Sequence, residues 1–216
     1  NGMPLNAAEL TRLITAGAKG VRTADPTAQI ISAAPATTGI NDGINAIDDR
    51  QFFRQMLEAG IADTVDGVGV HPYGWANPPD SSVSDGVSAV PSHNNHPSFF
   101  WQNTLDDYAT ILAEYGAESR PLWVTEFGWG SFEQFDSVPP AGAEFMSHVN
   151  EWQQAEYTLR AYELAHSRPK MGPMILWNLN FAPTLGADFS ESGYSVLRPD
   201  GSRRPAYRAL EAMAKQ

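Results

Sequence analysis

The sequence contains no cysteine, few basic residues and no long hydrophobic run, and each absence excludes a class of protein. Without cysteine the chain has no disulfide, no thiolate metal site and no cysteine nucleophile. The 14 Lys and Arg residues against 25 Asp and Glu give a formal net charge of -11, which disfavours binding to nucleic-acid phosphates. No apolar run approaches the length of a membrane span, so we expect no membrane partner. The cellular compartment stays open, with an extracellular location favoured.

The length and composition fit one globular domain. The 216 residues suffice for a substantial core, and 42% hydrophobic with 11% aromatic residues is typical of a folded protein. We find no internal repeat and no low-complexity tract, so we predict a single domain over residues 1–216. The opening Asn1-Gly2-Met3 is typical of a segment within a larger protein.

Helical and strand-like periods alternate along the chain. The first helix is predicted by apolar residues from Leu10 to Val21, with Asn6 and Glu9 spaced like a capping box. Further helices are predicted over about 52–60, 105–116 and 152–162, and a last one begins at Pro205. Short apolar strands are predicted at 28–33, 65–70, 122–126 and 174–177. This alternation predicts an α/β fold with a parallel sheet whose strands are buried on both faces.

The predicted connections differ in length between the two ends of the sheet. Those that lead into strands, such as 60–66 and 116–121, are brief. Those that leave strands are long: roughly 30 residues after His71, and about 20 or more after Glu126 and Trp177, which exceeds the usual connection length. Long loops at the carboxyl ends of parallel strands are where such folds build their sites.

The most informative motif is Pro121-Leu122-Trp123-Val124-Thr125-Glu126-Phe127-Gly128-Trp129. A buried apolar strand here ends in one carboxylate, whose ionised form is costly to bury without partners. We interpret Glu126 as a reactive group presented to a cleft. The alternative is a solvated glutamate at a strand exit.

Two more strands end in functional-looking residues. The first ends in His71-Pro72-Tyr73-Gly74 and the second in Trp177-Asn178. His71 and Tyr73 are suitable hydrogen-bond donors for a carboxylate. Indole rings at or beyond strand exits are suitable platforms for the C–H face of a sugar. The rings in such places are Trp75, Trp101, Trp129 and Trp177.

Each of these residues also has a structural interpretation. In that interpretation His71 caps the strand end, Trp177 belongs to the core, and Trp75 and Trp101 only anchor a long loop. His93 and His96 resemble a metal pair but have no nearby carboxylate in the sequence, so we predict neither metal nor cofactor. Five acidic residues are expected on solvated loop surface: Glu133, Asp136, Glu144, Asp188 and Glu191.

The strand ends, taken in order and spacing, resemble strands six, seven and eight of clan A glycoside hydrolases, which include cellulase-like and β-xylosidase-like barrels. The tail from Leu197 through Arg203-Arg204-Pro205 to Leu210 is similar to the clan's link into its last helix. Residues up to Ala33 resemble its fourth helix and fifth strand. The resemblance implies a (β/α)8 barrel of which only strands five to eight and their helices are present.

The resemblance also implies roles for single residues. Glu126 would be the nucleophile of a retaining double displacement, oriented by His71 and Tyr73. Trp177 would floor the subsite of the scissile sugar, with Asn178 as a hydroxyl contact. Clan members carry the acid/base at the end of strand four in an Asn-Glu-Pro context, which this sequence lacks. We therefore expect little turnover by the chain alone, and pairing with a missing N-terminal half or with a second copy.

Two rival functions stay open. In one, the chain is a carbohydrate-binding module or pseudo-enzyme in which Glu126 only accepts hydrogen bonds. In the other, it is a different barrel enzyme that uses Glu126 as a base or metal ligand, which the absence of clustered His and Asp at strand ends disfavours. For the hydrolase and for the binding module, the expected partner is a carbohydrate.

Overall fold

The computed structural model describes residues 4–213, so the predicted domain is seen without its first three and last three residues. The start at Asn1-Gly2-Met3 therefore lies outside the described residues. Within them, the principal helices are α1 (Ala7–Ala24), α2 (Asp49–Glu58), α3 (Ile61–Thr64), α4 (Trp101–Glu114), α5 (Glu151–His166), α6 (Ala182–Leu185), α7 (Ser190–Tyr194) and α8 (Pro205–Ala212). The strands are β1 (Val68–Val70), β2 (Leu122–Phe127) and β3 (Met171–Leu176). Short 3-10 helices lie at Val83–Asp85, Pro91–His93, Pro97–Phe99 and Glu144–His148.

The three strands form one parallel sheet in the order β1-β2-β3. Val68 pairs with Leu122 and Val70 with Val124, and β2 continues in parallel with β3. Long helices connect the strands, α4 between β1 and β2 and α5 between β2 and β3. The predicted α/β class and parallel sheet are confirmed.

The first of the four predicted strands, at 28–33, does not form a regular strand, so that prediction is wrong. Only Ile31 forms a parallel bridge, with Gly67. The last main-chain hydrogen bond of this pairing runs from Ser32 N to Gly67 O. The next donor, Gly69 N, is bound by the Ser32 hydroxyl instead of by a main-chain carbonyl, and regular pairing stops there. A serine side chain that competes with the backbone in this way ends regular pairing. The segment still lies along β1, but as irregular chain.

The core lies on one face of the sheet, beneath the helices. Val68, Val70, Leu122 and Val124 point into it from the strands. From the helices, Phe53 of α2 stacks on Tyr108 of α4 with ring centroids 4.6 Å apart. Because side chains alternate between faces along a strand, the residues between these belong to the other face.

The opposite face of the sheet is partly open. There Trp123 lies across Gly67, just before β1, and Gly172 on β3. A Cβ added at Gly67 or Gly172 would come within 2.6 or 2.5 Å of its ring. Ile175 on β3 is 53% exposed, and Leu179 just beyond the strand is 62% exposed. An apolar strand face left open to this extent differs from the burial on both faces that the sequence predicts.

Helix α1 begins as expected but buries only part of the stripe that predicts it, since Leu10 and Ile14 pack against the core. The Asn6 side chain accepts from Glu9 N at 3.0 Å, whereas the Glu9 carboxylate pairs with Arg12 instead of closing the capping box. Leu13 is 70% exposed and Val21 46% exposed. The same holds for Trp152 on α5, which is 74% exposed. In the described residues, no helix is long and apolar enough to cross a membrane.

Candidate functional site

The segments that follow the three strands meet at one end of the sheet. They cover 71–100, 128–150 and 177–204, each far longer than the connections into strands at 115–121 and 167–170. The predicted difference in loop length is confirmed. Because the strands are parallel, His71, Glu126 and Trp177 lie at the same edge of the sheet.

A register shift in β2 presents Glu126. Val124 pairs with Met174 and Phe127 with Leu176, so β2 spends one residue more than β3 over this stretch. A bulge of this kind re-aims side chains, and bulges are common at barrel rims. As a result Thr125 and Glu126 both reach residues at the exit of β1, while Phe127 returns to the core.

Two side chains from the exit of β1 flank the Glu126 carboxylate. The Tyr73 hydroxyl donates to Glu126 Oε2 at 3.0 Å. His71 Nδ1 lies 3.7 Å from the same oxygen, beyond hydrogen-bond distance, while His71 Nε2 is 3.0 Å from the Thr125 hydroxyl. The structure thus brings together the three residues that the sequence predicts as nucleophile and orienting groups.

Burial sets the protonation states of the groups around Glu126. It lowers the pKa of His71, against the opposing effect of the Glu126 charge, so the imidazole is neutral at pH 7. It also raises the pKa of Tyr73, with the Glu126 charge acting in the same direction. Tyr194 lies edge-on to Tyr73, with centroids 5.4 Å apart, and its pKa is raised by burial and by Glu191. Both phenols therefore stay protonated and able to donate.

These groups line one cavity of about 250 Å³, which we call the Glu126 cavity. Its walls are Ala36, Thr37, His71, Tyr73, Glu126, Trp177, Glu191 and Tyr194. Trp177 lies immediately after β3, where its N–H donates to Phe127 O, and the Trp177–Asn178 peptide is cis. The cavity offers an indole face beside a carboxylate, which suits a sugar ring.

Four wall residues escaped the sequence interpretation. Ala36 and Thr37 follow the segment predicted as a strand, and their position after a strand end was the available signal; the Thr37 hydroxyl donates to His71 O. Glu191 was expected on solvated surface, and the cavity position contradicts this. Tyr194 belongs to α7, a five-residue helix without a sequence period that would reveal it.

Trp129 and Asn178 are not open sugar contacts. Trp129 is 1% exposed; its indole donates to Asn77 O and packs on Gly74, which ties the loop after β1 to the loop after β2. Asn178 is 6% exposed, its amide donating to Glu191 O and accepting from the Ser195 hydroxyl. Both side chains hold the walls of the site in place, and the expectation that they face substrate is corrected.

Trp75 lies outside the Glu126 cavity and lines a neighbouring one. His93 stacks on Phe99 and meets Trp75 edge-on, while His96 Nδ1 accepts from Ser98 N. Trp101 is fully buried in the core. Among the described residues, no three His, Asp or Glu side chains are grouped so as to hold a metal ion.

A buried arginine links the loops that carry the site. Arg204, at the start of α8, donates through Nη1 to Ser131 O and Gly193 O, at 3.1 and 3.0 Å. Its Nε lies 3.5 Å from Glu151 Oε1, and burial lowers its pKa to about 10. Ser131 follows β2 and Gly193 adjoins Tyr194, so one guanidinium fixes two walls relative to each other.

Comparison with known proteins gives a match in fold. Neither a protein-family model nor a curated protein matches the sequence. Among solved structures, a family 39 glycoside hydrolase from Bacteroides cellulosilyticus WH2 is similar with a TM-score of 0.62 and 23% identity, over 94% of this chain and 36% of that one. A glucosidase from Croceicoccus marinus gives 0.60 and 14%, over 93% and 34%. A GH128 endo-beta-1,3-glucanase from Sorangium cellulosum gives 0.57 and 16%, over 98% and 64%.

These structural neighbours are barrel-type glycoside hydrolases of clan A, so the resemblance seen in the sequence is confirmed in the fold. At identities under 25% the likeness concerns the fold alone. The chain spans between about a third and two thirds of the length of these neighbours.

Proposed function

We propose that this chain is the region of a retaining O-glycoside hydrolase that supplies the nucleophile, Glu126, to β-linked sugar substrates. The observation that carries the proposal is the pairing of Glu126 with Tyr73 at 3.0 Å in a cavity walled by Trp177, at the carboxyl ends of parallel strands. Glycoside hydrolases with the same fold support the reaction class.

The hydrogen bonds assign different roles to the two carboxylate oxygens of Glu126. Oε2 accepts from Tyr73 and faces His71, whereas Oε1 receives no hydrogen bond within the described residues. Oε1 is thus the oxygen free to attack. Tyr73 holds the carboxylate in one orientation, which limits the loss of freedom when the anomeric carbon approaches.

The chemistry is a double displacement. Glu126 Oε1 forms a bond to the anomeric carbon as the glycosidic C–O bond breaks, and the leaving oxygen takes a proton from a general acid. Water then attacks the anomeric carbon of this glycosyl ester and gives a proton to the same group, which now acts as a base. The bond between the sugar and Glu126 breaks, and Glu126 leaves as a carboxylate. The acid/base must lie about 5–5.5 Å from the nucleophile.

We propose that the acid/base belongs to a segment outside this chain, and that the chain forms strands five to eight of a barrel. The limited coverage of the neighbours' lengths supports this, as do the open face at Trp123 and Ile175 and the uncovered residues Leu13 and Val21 of α1. Loss of acid–base assistance typically lowers rates by about 10²–10⁴-fold. The chain alone should therefore favour aryl glycosides whose leaving groups need no proton.

The test is covalent trapping with 2-fluoro β-glycosides that carry a dinitrophenyl leaving group, in the gluco, galacto and xylo series. We expect one of them to add a single sugar to the chain, with peptide mass spectrometry placing it on Glu126. Glu126→Gln should abolish the adduct. Glu191→Gln, which changes the other carboxylate of the cavity, should retain it.

The same experiment separates catalysis from carbohydrate binding without chemistry. If sugars bind but no reagent of the panel labels the chain, Glu126 is a hydrogen-bond acceptor and the chain is a binding module. An adduct that persists in Glu126→Gln, or that maps to another residue, overturns the assignment of the nucleophile.

A further inference from the structure

A second cavity adjoins the Glu126 cavity. It measures about 440 Å³ and shares Glu191 and Tyr194 with the first as a common wall. This volume lies within the range of ligand pockets in proteins, roughly 300–1,000 Å³. The two cavities are therefore separated by little more than these two side chains.

The walls of the second cavity come from the segments after all three strands. Trp75 follows β1, Phe145 follows β2 and Phe189 follows β3, so the aromatic surface is assembled only in the folded chain. Asp188 and Glu191 add carboxylates at its edge. Aromatic rings with a few hydrogen-bond acceptors are the groups that sugar rings and their hydroxyls require.

Trp75 has two features that point to a ligand. Its φ is 55°, a left-handed conformation that is unusual for a bulky side chain and is found preferentially at functional sites. Its indole Nε1 is buried and has no hydrogen-bond partner among the described residues. A buried indole N–H normally finds an acceptor, so this unpartnered donor marks Trp75 as a residue placed for something other than stability.

Neighbouring rings hold Trp75 in this conformation. Phe145 is tilted against it with centroids 4.8 Å apart, and Phe99 and His93 meet it edge-on at 5.1 and 5.0 Å. These contacts restrict rotation of the ring. This arrangement provides a rigid platform, as expected for a preorganised binding site.

The charges of both cavities restrict the ligand. Glu126, Glu191 and Asp188 line them, and neither wall contains Lys or Arg among the described residues. A uronic acid or a phosphorylated sugar would place its own negative charge beside these carboxylates without a cation to offset it. Neutral sugars meet no such repulsion.

We propose that the second cavity, the Trp75 subsite (Trp75, Phe145, Asp188, Phe189, Glu191 and Tyr194), binds the adjacent unit of a neutral β-linked oligosaccharide. This inference rests on the proposed function and specifies its substrate class: at least two neutral sugar units, one in each cavity. Tyr194 and Glu191 form the wall that the two cavities share.

The test uses the six tryptophan indole N–H signals in a proton–nitrogen NMR spectrum of the chain, with Trp75→Phe and Trp177→Phe assigning two of them. Probes are neutral tetramers of β-1,4-glucose, β-1,3-glucose, β-1,4-galactose and β-1,4-xylose. We expect at least one of them to shift both signals. The corresponding monosaccharide should shift Trp177 alone, and an anionic tetramer of galacturonic acid should shift neither.

Phe189→Ala provides a second measurement that does not depend on a buried substitution, since Phe189 is 42% exposed. It should weaken tetramer binding by about tenfold, the effect of one lost aromatic contact, and leave monosaccharide binding unchanged. Leu185→Ala is the matched control, because Leu185 is 44% exposed on the same segment but lines neither cavity.

The outcomes separate this inference from the proposed function. If tetramers shift Trp177 but never Trp75, and Phe189→Ala binds normally, the subsite is wrong while the role of Glu126 stands. If no neutral tetramer shifts either signal, the subsite is wrong, and trapping at Glu126 decides the proposed function independently. Binding of the anionic tetramer as tight as that of the neutral ones overturns the substrate class.

Discussion

At the scale of the residue, the site depends on one hydrogen bond from a neutral phenol to a carboxylate. Tyr73 donates to Glu126 Oε2, and the raised pKa of the phenol keeps the donor proton in place. His71 is held neutral by burial, so it adds a dipole beside the carboxylate rather than a full charge. The orientation of Glu126 therefore depends chiefly on the tyrosine.

Tyr73→Phe tests this dependence. A hydrogen bond to a charged group contributes about 1.5–3 kcal/mol, so its loss should slow trapping at Glu126 by roughly 10- to 100-fold. Tyr115→Phe is the control, because Tyr115 also donates to a glutamate, Glu58, at 2.9 Å, but far from the site. Equal labelling rates for Tyr73→Phe and the unchanged chain would contradict the assigned role.

The lowered pKa of His71 predicts how stability varies with pH. The folded chain resists protonation of His71, whereas the unfolded chain takes up the proton near pH 6.5. Because the unfolded state binds more protons in this range, the free energy of unfolding should fall as the pH falls from about 6.5 towards the folded pKa. His93, whose pKa is lowered by burial and by His148, contributes with the same sign.

Urea unfolding between pH 5 and 7.5 measures this dependence. His71→Gln should flatten the curve below pH 6.5, and His93→Gln should flatten it further when the two are combined. A slope unchanged in the double variant would show that these imidazoles are not the source.

At the scale of the element, close approaches of the backbone and one buried charge join the strand exits. A Cβ at Gly128 would lie 2.5 Å from Trp177 O, so β2 and the chain after β3 meet there without room for a side chain. Arg204 joins the same two segments further along the chain, through Ser131 O and Gly193 O. The walls of the site are thus fixed to each other and not only to their own strands.

Gly128→Ala should displace Trp177 from the Glu126 cavity. Overpacking of this kind costs about 1–3 kcal/mol, and we expect both a lower free energy of unfolding and weaker sugar binding. Gly20→Ala is the contrasting variant: nothing lies within 4 Å of its added Cβ, and alanine in the middle of α1 should stabilise by about 0.5–1 kcal/mol. Chemical unfolding with sugar titration measures both, and Gly128→Ala with normal stability would contradict the close approach.

Arg204→Met should destabilise the chain by about 1–3 kcal/mol, because it leaves two loop carbonyls without this buried donor, while Glu151 keeps its pair with Arg198. Arg203→Met is the control next to it in sequence. Arg203 pairs with Glu211 at the surface, with 48% of its side chain exposed, and its loss should change stability by less than about 1 kcal/mol. Similar unfolding midpoints for the two variants would refute the linking role of Arg204.

At the scale of the whole molecule, the chain leaves apolar surface open in two places. One is the sheet face with Trp123 and Ile175, and the other is the outer stripe of α1 with Leu13 and Val21. A missing half of the proposed barrel would provide cover for such surfaces. A second copy of the chain is the alternative cover.

The isolated chain should therefore bind the dye ANS and self-associate at micromolar concentration, as open apolar faces do. Ile175→Thr should reduce both effects, since threonine keeps the strand preference while it adds a hydroxyl. Val138→Thr should have little effect, although Val138 is 81% exposed, because it lies on a loop rather than on the open sheet face. Light scattering and dye fluorescence measure the two; a monomer that binds no dye would contradict the open face.

The sequence was sufficient where a local pattern has one physical cause. Apolar period and caps located the main helices, and the run from Leu122 ending in Glu126 located the strand and its carboxylate. It failed at 28–33, where the composition is typical of a strand but the hydroxyl of Ser32 interrupts the ladder. It failed as well for Trp129, because an indole after a strand looks the same whether the chain turns it outward or into the core.

The primary structure by itself determined which chemical groups stand at the strand exits: a carboxylate near the end of β2, a histidine and a tyrosine after β1, and an indole after β3. Only the tertiary structure decided which of them meet, because segments of 20 to 30 residues without period carry no local signal for their path. The bulge at Thr125–Glu126, the cavity position of Glu191 and the second cavity at Trp75 all arise from contacts between such segments. Contacts between residues far apart in the chain depend on packing, which no short stretch of sequence encodes.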